Sequence, residues 1–572
     1  MVEPGGRALL RKRPGGVGWM LGLLLLASGG AQISAAETVV PQETAELLQG
    51  LAGPEVALQE KAVAALADRG DPPALFILKA LEEGGLNLWT TPSGEHRVVI
   101  LRTDEGPSGS RNVLVDPLSA TVLREWSDSD EGLAPVSLHS SEARRLLHLA
   151  LERLKLFDPS PGVRSAAATR MGNEGEASAI PQLARALSLE RDRWTRHAME
   201  GAIAQIHLID PDPAVRKEAA ITLGRIRSVE ALPQLRALLV GATAETDAGV
   251  REAVGASVRK IETYQSFEQL LETLFSGLSL GSILLMMGLG LAIIFGLMGV
   301  INMAHGEMMM VGAYATFTLQ ELFASHLPSA YQDLYFLAAI PFSFLITALG
   351  GLLLEKSIIR FLYGRPLETL LATWGVSLVL QQAARWYFGD LTSVNAPGFL
   401  RGGVQVMAGL VLPYNRIFII VLSALGLWAV HLLLSRSRWG LKMRAVTQNR
   451  DMSACLGIST RRVDGWTFAL GAGLAGLAGC ALTLIGNVDP EMGKTYIVDS
   501  FMVVVVGGVG KLAGTVVSAL GIGMLNKILE PMIGGTGGAI YAKLFLLAGI
   551  ILFLQRKPSG LFPGKGRAVE SP

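Results

Sequence analysis

The chain has 572 residues, half of them hydrophobic and 17% charged, and its net charge is +1. That balance argues against nucleic acid as a partner, because phosphate binding needs a concentrated basic face. The average hides a division, since most of the acidic and more than half of the basic residues lie before about Thr273, and the rest of the chain is lipid-like.

Residues 1–36 begin with Arg7, Arg11, Lys12 and Arg13, continue through an apolar core from Leu21 to Ala27, and end in small residues at Ala35 and Ala36. This is the pattern of a secretory signal peptide, with a permanent anchor as the alternative; the apolar core is short for a bilayer span. The domain at 37–265 is then expected on the exported side. Both cysteines, Cys455 and Cys480, lie beyond it, so packing alone has to hold it together.

Helical sequence near Thr44 to Leu81 leads into three short strands, "LNLWTT", "HRVVILRT" and "RNVLVDP", separated by turn-rich links. From about residue 158 the sequence repeats loosely: "DPSPGVRSAAATRMG" returns as "DPDPAVRKEAAITLG", and "AIPQLARAL" as "ALPQLRALL". Each unit reads as two helices, the first opened by an Asp-Pro turn and the second with proline in its first turn. Such pairs bury their apolar faces only by stacking into a solenoid, and these units resemble HEAT-type repeats. The fold class expected is mainly α: a polytopic helical membrane domain preceded by an exported α-solenoid with a small β element.

The membrane domain is expected at 266–565, with spans near 274–298, 306–325, 334–356, 367–388, 415–434 and 464–486. If 37–265 is exported, the first span runs inward. Lys356, Arg360 and Arg365 after the third span, and the basic run from Arg436 to Arg462 after the fifth, then fall on the cytoplasmic side, as the positive-inside rule requires. The basic stretch "QRKPSGLFPGKGR" belongs there too, and with it the tail at 566–572.

Val503 to Thr515, "VVVVGGVGKLAGT", imitates a nucleotide-phosphate loop. The motif G-x-x-x-x-G-K-[ST] would need glycine at Val505 and a hydroxyl at Leu512, so no ATP site is expected here. Gly507, Gly508 and Gly510 suggest instead a segment, 498–528, that enters the membrane and returns with its break in the interior near a pathway; the alternative is that they permit close helix packing. A final span near 540–555 completes the crossing.

The loop at 435–463 places Ala445, Gln448, Met452 and Cys455 at helical spacing, bordered by Arg444 and Arg450, with Gly457 at the stop. One amphipathic helix from about Leu441 to Leu456 is expected, lying on lipid or on a partner. The arrangement Arg444-Ala445 through Ala454 to Gly457-Ile458 is similar to the coupling loop of ABC-importer permeases of the branched-chain amino acid class. "GLMGVINMAHGEMMMVGAY" and "VVVVGGVGKLAGTVVSALGIG" resemble two further signatures of that class. The exported extension makes the whole chain look like the urea-type subfamily.

The resemblance implies a bacterial inner-membrane complex with a periplasmic N-terminal domain and a cytoplasmic C-terminus. Its partners would be ABC ATPase subunits, a second permease subunit and an extracytoplasmic urea-binding protein, all gathered at the lipid bilayer. Arg444, Ala445, Ala454, Gly457 and Ile458 would couple to the ATPase. Asn302, His305, Glu307, Thr373 and Gln381, with Gly507, Gly508 and Gly510, are the residues expected at the path or gate; turn capping is the alternative for Asn302 and Glu307. Urea is the expected substrate, ahead of short amides and branched-chain amino acids.

No cofactor or metal is expected, and no catalytic grouping emerges. His305-Gly-Glu307 lacks the P-C-x-x-C that accompanies H-x-E in zinc deaminases. Outside transport, the alternatives are a membrane-anchored HEAT-repeat scaffold and an intramembrane enzyme.

Overall fold

The computed structural model describes residues 42–562, apart from short breaks at 54, 70–71, 92–95, 107–108, 120, 127–131, 139, 241–244 and 535–536. The expected signal peptide at 1–36 and tail at 566–572 lie outside the described residues. Two compact units divide between Ile209 and Asp210.

In the first unit, helices α1 (Gln42–Ala52), α2 (Val56–Arg69) and α3 (Pro72–Glu82) precede five antiparallel strands. These are β1 (Leu86–Thr90), β2 (His96–Gly106), β3 (Gly109–Val115), β4 (Val122–Trp126) and β5 (Leu133–Pro135), in the order β4-β3-β2-β1-β5. The register sets Leu86 opposite Ile100 and Ile100 opposite Val115. One face is therefore apolar, and it packs on Leu51, Leu66, Ile77 and, from α4 (Ser141–Leu154), Leu151. The three expected strands are β1 to β3. β4, "VLREW", carries no strand signal in the sequence because it lacks a buried alternation, all but its Trp126 being exposed.

Helices α5 (Pro161–Glu174), α6 (Ile180–Leu189) and α7 (Arg193–His207) come next, and α8 (Pro213–Ile226), α9 (Leu232–Leu239) and the start of α10 (Ala248–Met298) repeat the arrangement in the second unit. Each copy is closed by the same clamp. Arg164 donates Nε and Nη2 to Glu190 at 2.6 and 2.8 Å, and its Nη1 donates to the Asp158 and Pro159 carbonyls. Arg216 does the same to Glu245 at 2.7 and 2.9 Å, and to the Asp210 and Pro211 carbonyls. In both, the glutamate also accepts two backbone N–H groups, and an aspartate two positions on, Asp192 or Asp247, caps the next helix. Planar forks paired face to face and fully hydrogen-bonded are the strong form of an ion pair.

α10 runs unbroken for 51 residues, about 76 Å at about 1.5 Å per residue. It serves first as a repeat helix and then as the first span. The boundary expected at 265/266 falls inside it, because "YQSFEQLLETLF" contains neither proline nor glycine to stop a helix.

The remaining elements are α11 (His305–His326), α12 (Ser329–Gln332), α13 (Tyr335–Ser357), α14 (Pro366–Phe388), the hairpin β6 (Gly403–Met407) and β7 (Leu410–Pro413), α15 (Tyr414–Arg436), α16 (Arg438–Gln448), α17 (Arg450–Cys455), α18 (Thr460–Leu482), α19 (Met492–Gly507), α20 (Leu512–Ile533) and α21 (Gly538–Arg556). Among the described residues, α10, α13, α15, α18, α20 and α21 are long and apolar enough to cross a membrane.

The segment 498–528 does not turn back in the interior, and this corrects the expectation. α20 lies antiparallel along the membrane part of α10: a Cβ on Gly277 would meet the Met524 Cα at 2.8 Å, one on Gly281 the Leu520 Cα at 3.0 Å, and one on Gly296 the Gly510 Cα at 2.6 Å. α20 thus covers the whole first span, and the turn at Gly508 to Gly510 sits at that span's far end. Gly508 and Gly510 have φ of 95° and 76°, which the turn requires of glycine. Gly507 abuts Gly514, and Ser518 Oγ donates to the Val503 carbonyl, so α19 and α20 form a tight hairpin.

The Arg164 and Arg216 forks and the backbone N–H groups hold Glu190 and Glu245 at about 2, below the ordinary 4.5. Their stabilisation is therefore complete above pH 4.5 and is lost as the pH falls towards 2. Hydrogen-exchange protection factors of α5 to α8 in the full chain should drop across that window, and a Glu190→Gln, Glu245→Gln chain should start lower at pH 7 and stay flat through it.

Candidate functional site

Two constellations emerge in the second unit. The first is buried. Gly306 on α11 crosses Gly493 on α19 so tightly that a Cβ on Gly306 would meet the Gly493 carbonyl oxygen at 2.4 Å. That crossing sets the adjacent residue, Glu307, at the junction of three helices. It is 1% exposed.

From α14, Ser377 Oγ and Gln381 Nε2 donate to Glu307 Oε1 at 2.8 and 2.7 Å, and Gln381 Nε2 also reaches Ser377 Oγ at 2.9 Å. One helical turn before Ser377, Thr373 Oγ1 accepts the Met303 backbone N–H at 3.1 Å. Asn302 Oδ1 accepts from Ala304 N in the turn that leads into α11, and His305 donates Nε2–H to the Met287 carbonyl at 3.2 Å. Asn302 Nδ2, His305 Nδ1 and Glu307 Oε2 are buried with no hydrogen-bond partner among the described residues. Unmade hydrogen bonds at this depth are costly, so these three atoms together set the cluster apart from the rest of the bundle.

The structure therefore gathers Asn302, His305, Glu307, Thr373 and Gln381 into one buried region and adds Ser377. Its signal was the spacing Thr373, Ser377, Gln381, every fourth residue of a helix. Trp374 and Gln382, on the other side of α14, are exposed. Gly507, Gly508 and Gly510 are not part of this cluster; they make the helix crossing and the end turn between α19 and α20.

The second constellation projects from the bundle between α15 and α18. The single helix expected from Leu441 to Leu456 is instead two, α16 and α17, because Asn449 is extended (φ −153°, ψ 106°) and its side chain caps α17 by accepting from Met452 N at 2.9 Å. The inner face of α16, Met443 and Val446, is seated in a core with Leu289 and Ile293 of α10, Val430 of α15 and Val463 and Leu474 of α18. Arg450 is ion-paired with Asp464 at the head of α18. Arg444, an expected partner-binding cation, spends a guanidinium N–H on the Leu434 carbonyl. Ala454 and Gly457 are exposed, Ala445 is half-buried, and Ile458 packs against the core. Gly457 closes α17 at φ 84°. The outer tip is apolar and open: Leu441, Met452 and Leu456 are 62%, 58% and 76% exposed.

The second unit is thus an apolar helical bundle with one buried polar cluster and a two-helix prong whose outer tip is apolar and exposed. Residues 273–554 match the profile of the branched-chain amino acid transport system permease component, and residues 199–276 match HEAT repeats. The chain is 31% identical over 298 residues to the high-affinity branched-chain amino acid transport system permease protein BraD of Pseudomonas aeruginosa, covering 51% of this chain and 95% of that protein. It is 27% identical over 305 residues to LivH of Escherichia coli, covering 52% and 96%, and 25% identical over 287 residues to a probable LivH of Methanocaldococcus jannaschii, covering 49% and 88%. No solved structure matches. The chain belongs to the branched-chain amino acid permease family of ABC importers and is a multi-pass membrane protein; the residues before the family match include the repeats and the sheet.

Replacing Gln381 by Leu leaves Glu307 Oε1 with one donor and should destabilise the chain by about 1–3 kcal/mol. Thermal unfolding in detergent measures it, and Gln381→Glu, which places a second carboxylate beside the first, should cost more.

Proposed function

We propose that this chain is the permease subunit of an ABC importer for urea, which forms the path with a second permease subunit and is driven through α16 and α17 by separate ATPase subunits. An extracytoplasmic urea-binding protein delivers the substrate, and the assembly sits in a bacterial inner membrane with 37–265 periplasmic and the C-terminus cytoplasmic. The observation that carries the reading is the prong: its inner face is locked into α10, α15 and α18, while Leu441, Met452 and Leu456 face outward. A load on that tip reaches three spans at once. The basic run from Arg436 to Arg462 supports a cytoplasmic position for it.

Urea is favoured by the chemistry of the buried cluster. No lysine or arginine is among the buried residues described, and Lys494, whose charge acts on Glu307 from α19, is exposed, so the buried groups themselves offer no cation to the carboxylate of a zwitterionic amino acid. Urea is neutral and offers N–H groups to Glu307 Oε2 and a carbonyl to Asn302 Nδ2, both without partners. The second reading, branched-chain amino acids, is favoured by what the relatives are named for.

Uptake of labelled urea and labelled leucine, in cells with and without the chain, separates the two. Urea uptake that requires the chain is expected; leucine uptake alone overturns the substrate and leaves the permease reading standing. Cys455 is exposed and Cys480 buried, so an impermeant maleimide should react at Cys455 in inside-out vesicles and not in intact cells. Gly457→Arg should retain that labelling and lose uptake at least about tenfold, while Gly457→Asn, which tolerates positive φ, should transport.

A further inference from the structure

Between the C-terminal end of α13 and the N-terminal end of α18 lies a recess of 440 Å³ lined by Lys356, Arg360, Arg450, Arg461 and Arg462, with Trp466 at its rim. Glu355 also lines it and accepts from the Tyr363 hydroxyl at 3.2 Å. Arg450 is neutralised by Asp464 and lies over the Tyr363 ring at 5.0 Å. Among the described residues, the other four cations have no carboxylate within ion-pair distance; Arg360 only overlies the Phe361 ring.

Lys356, Arg360, Arg461 and Arg462 are exposed around one concavity that sets a single further carboxylate, Glu355, beside them, so the recess carries a net positive charge that attracts an anion. Their position says which anion. Both helices that frame the recess are long and apolar enough to cross a bilayer, and the recess is at their ends. On the span side of it, Leu349, Leu353 and Trp466 are 54%, 59% and 58% exposed, an apolar track leading away from the charges. Trp466 is braced edge to face by Trp439 at 5.9 Å, in the manner of an interfacial aromatic.

We infer that this recess holds the phosphate headgroup of an anionic phospholipid, with an acyl chain along Leu349, Leu353 and Trp466. A free phosphate would use the cations and leave the track bare. An acidic protein surface would reach the charges, but not side chains at the depth of the bilayer. The leaflet is the cytoplasmic one, and that assignment rests on the orientation proposed for the transporter. The lipid joins α13 to α18 beside Arg450 and Asp464, where the prong is anchored, so its occupancy bears on how firmly the prong is held.

The experiment uses the purified full chain in neutral detergent, titrated with phosphatidylglycerol or phosphatidylcholine and read by native mass spectrometry. Detergent has no sides, so failure here overturns the site and leaves the orientation and the transport reading untouched. Phosphatidylglycerol should be retained in preference to phosphatidylcholine, and millimolar inorganic phosphate should not displace it. Each cation removed should weaken retention roughly fivefold, so an Arg360→Gln, Arg461→Gln, Arg462→Gln chain should bind phosphatidylglycerol on the order of a hundredfold more weakly. Equal retention by that variant, or displacement by phosphate alone, overturns the proposal. Should the triple variant not fold, brominated phosphatidylglycerol added to the unmodified chain should quench the fluorescence that Trp466→Phe removes, and brominated phosphatidylcholine should quench it less. Equal quenching by the two lipids overturns it as well.

Discussion

At the crossing of α11 and α18, a Cβ on Gly312 would lie 2.4 Å from the Gly476 Cα, and one on Gly479 would lie 1.9 Å from the Met309 carbonyl oxygen. No side chain fits between these backbones. In lipid, where apolar surfaces gain little by finding one another, close backbone approach and the dispersion contacts it permits hold a bundle together. The same device recurs at Gly306 with Gly493, at Gly296 with Gly510 and at Gly507 with Gly514. It fixes where α11 stands against α18 and α19, and hence where Glu307 is presented; the hydrogen bonds from Ser377 and Gln381 then tie α14 to it.

The repeats rest on different physics, suited to water. Each Arg–Glu clamp ties a loop carbonyl pair, a carboxylate and two backbone N–H groups into one network, so no buried charge is left half satisfied. Alanines and glycines still set the helix spacing, as where Gly224 faces Ser257, but polar closure fixes the turn between successive pairs. α10 brings both kinds of construction into a single helix. A rod with no break between its repeat turns and its first bilayer turns resists bending there, so a force on the one end is felt at the other.

The prong and the buried cluster meet through α18 and α10. Met443 and Val446 share a core with Leu289 and Ile293, and the preceding turn of α10 supplies the Met287 carbonyl that His305 engages. Packed cores shift between discrete arrangements and do not deform smoothly, so in the transporter proposed above a movement of α16 would reach the helices around Glu307 by this short route.

How much of this could be read from residues alone depended on range. Apolar runs of bilayer length and the Asp-Pro repeats are local and periodic, and they placed the repeat helices and the helices at all six expected spans to within a few residues. Of those six, α10, α13, α15 and α18 are long and apolar enough to cross a membrane, while α11 and α14, which carry the polar cluster, are not among the helices that meet that measure. The E-x-D pairs at Glu190 and Asp192, and at Glu245 and Asp247, were equally visible, but their meaning lies in arginines 26 and 29 residues away. Asn449 breaks the loop helix because its side chain competes for a backbone N–H, a choice that a hydrophobic period does not register. The depth of the glycine turn at Gly508 to Gly510 was decided only by α20 lying along α10, since glycine looks the same in sequence whether it lines a cavity or seats a neighbouring helix. Ser377 joined the site for the same reason: the sequence by itself set three polar residues on one face of α14, and only the packing of α11 against that face determined that a buried carboxylate would be waiting there.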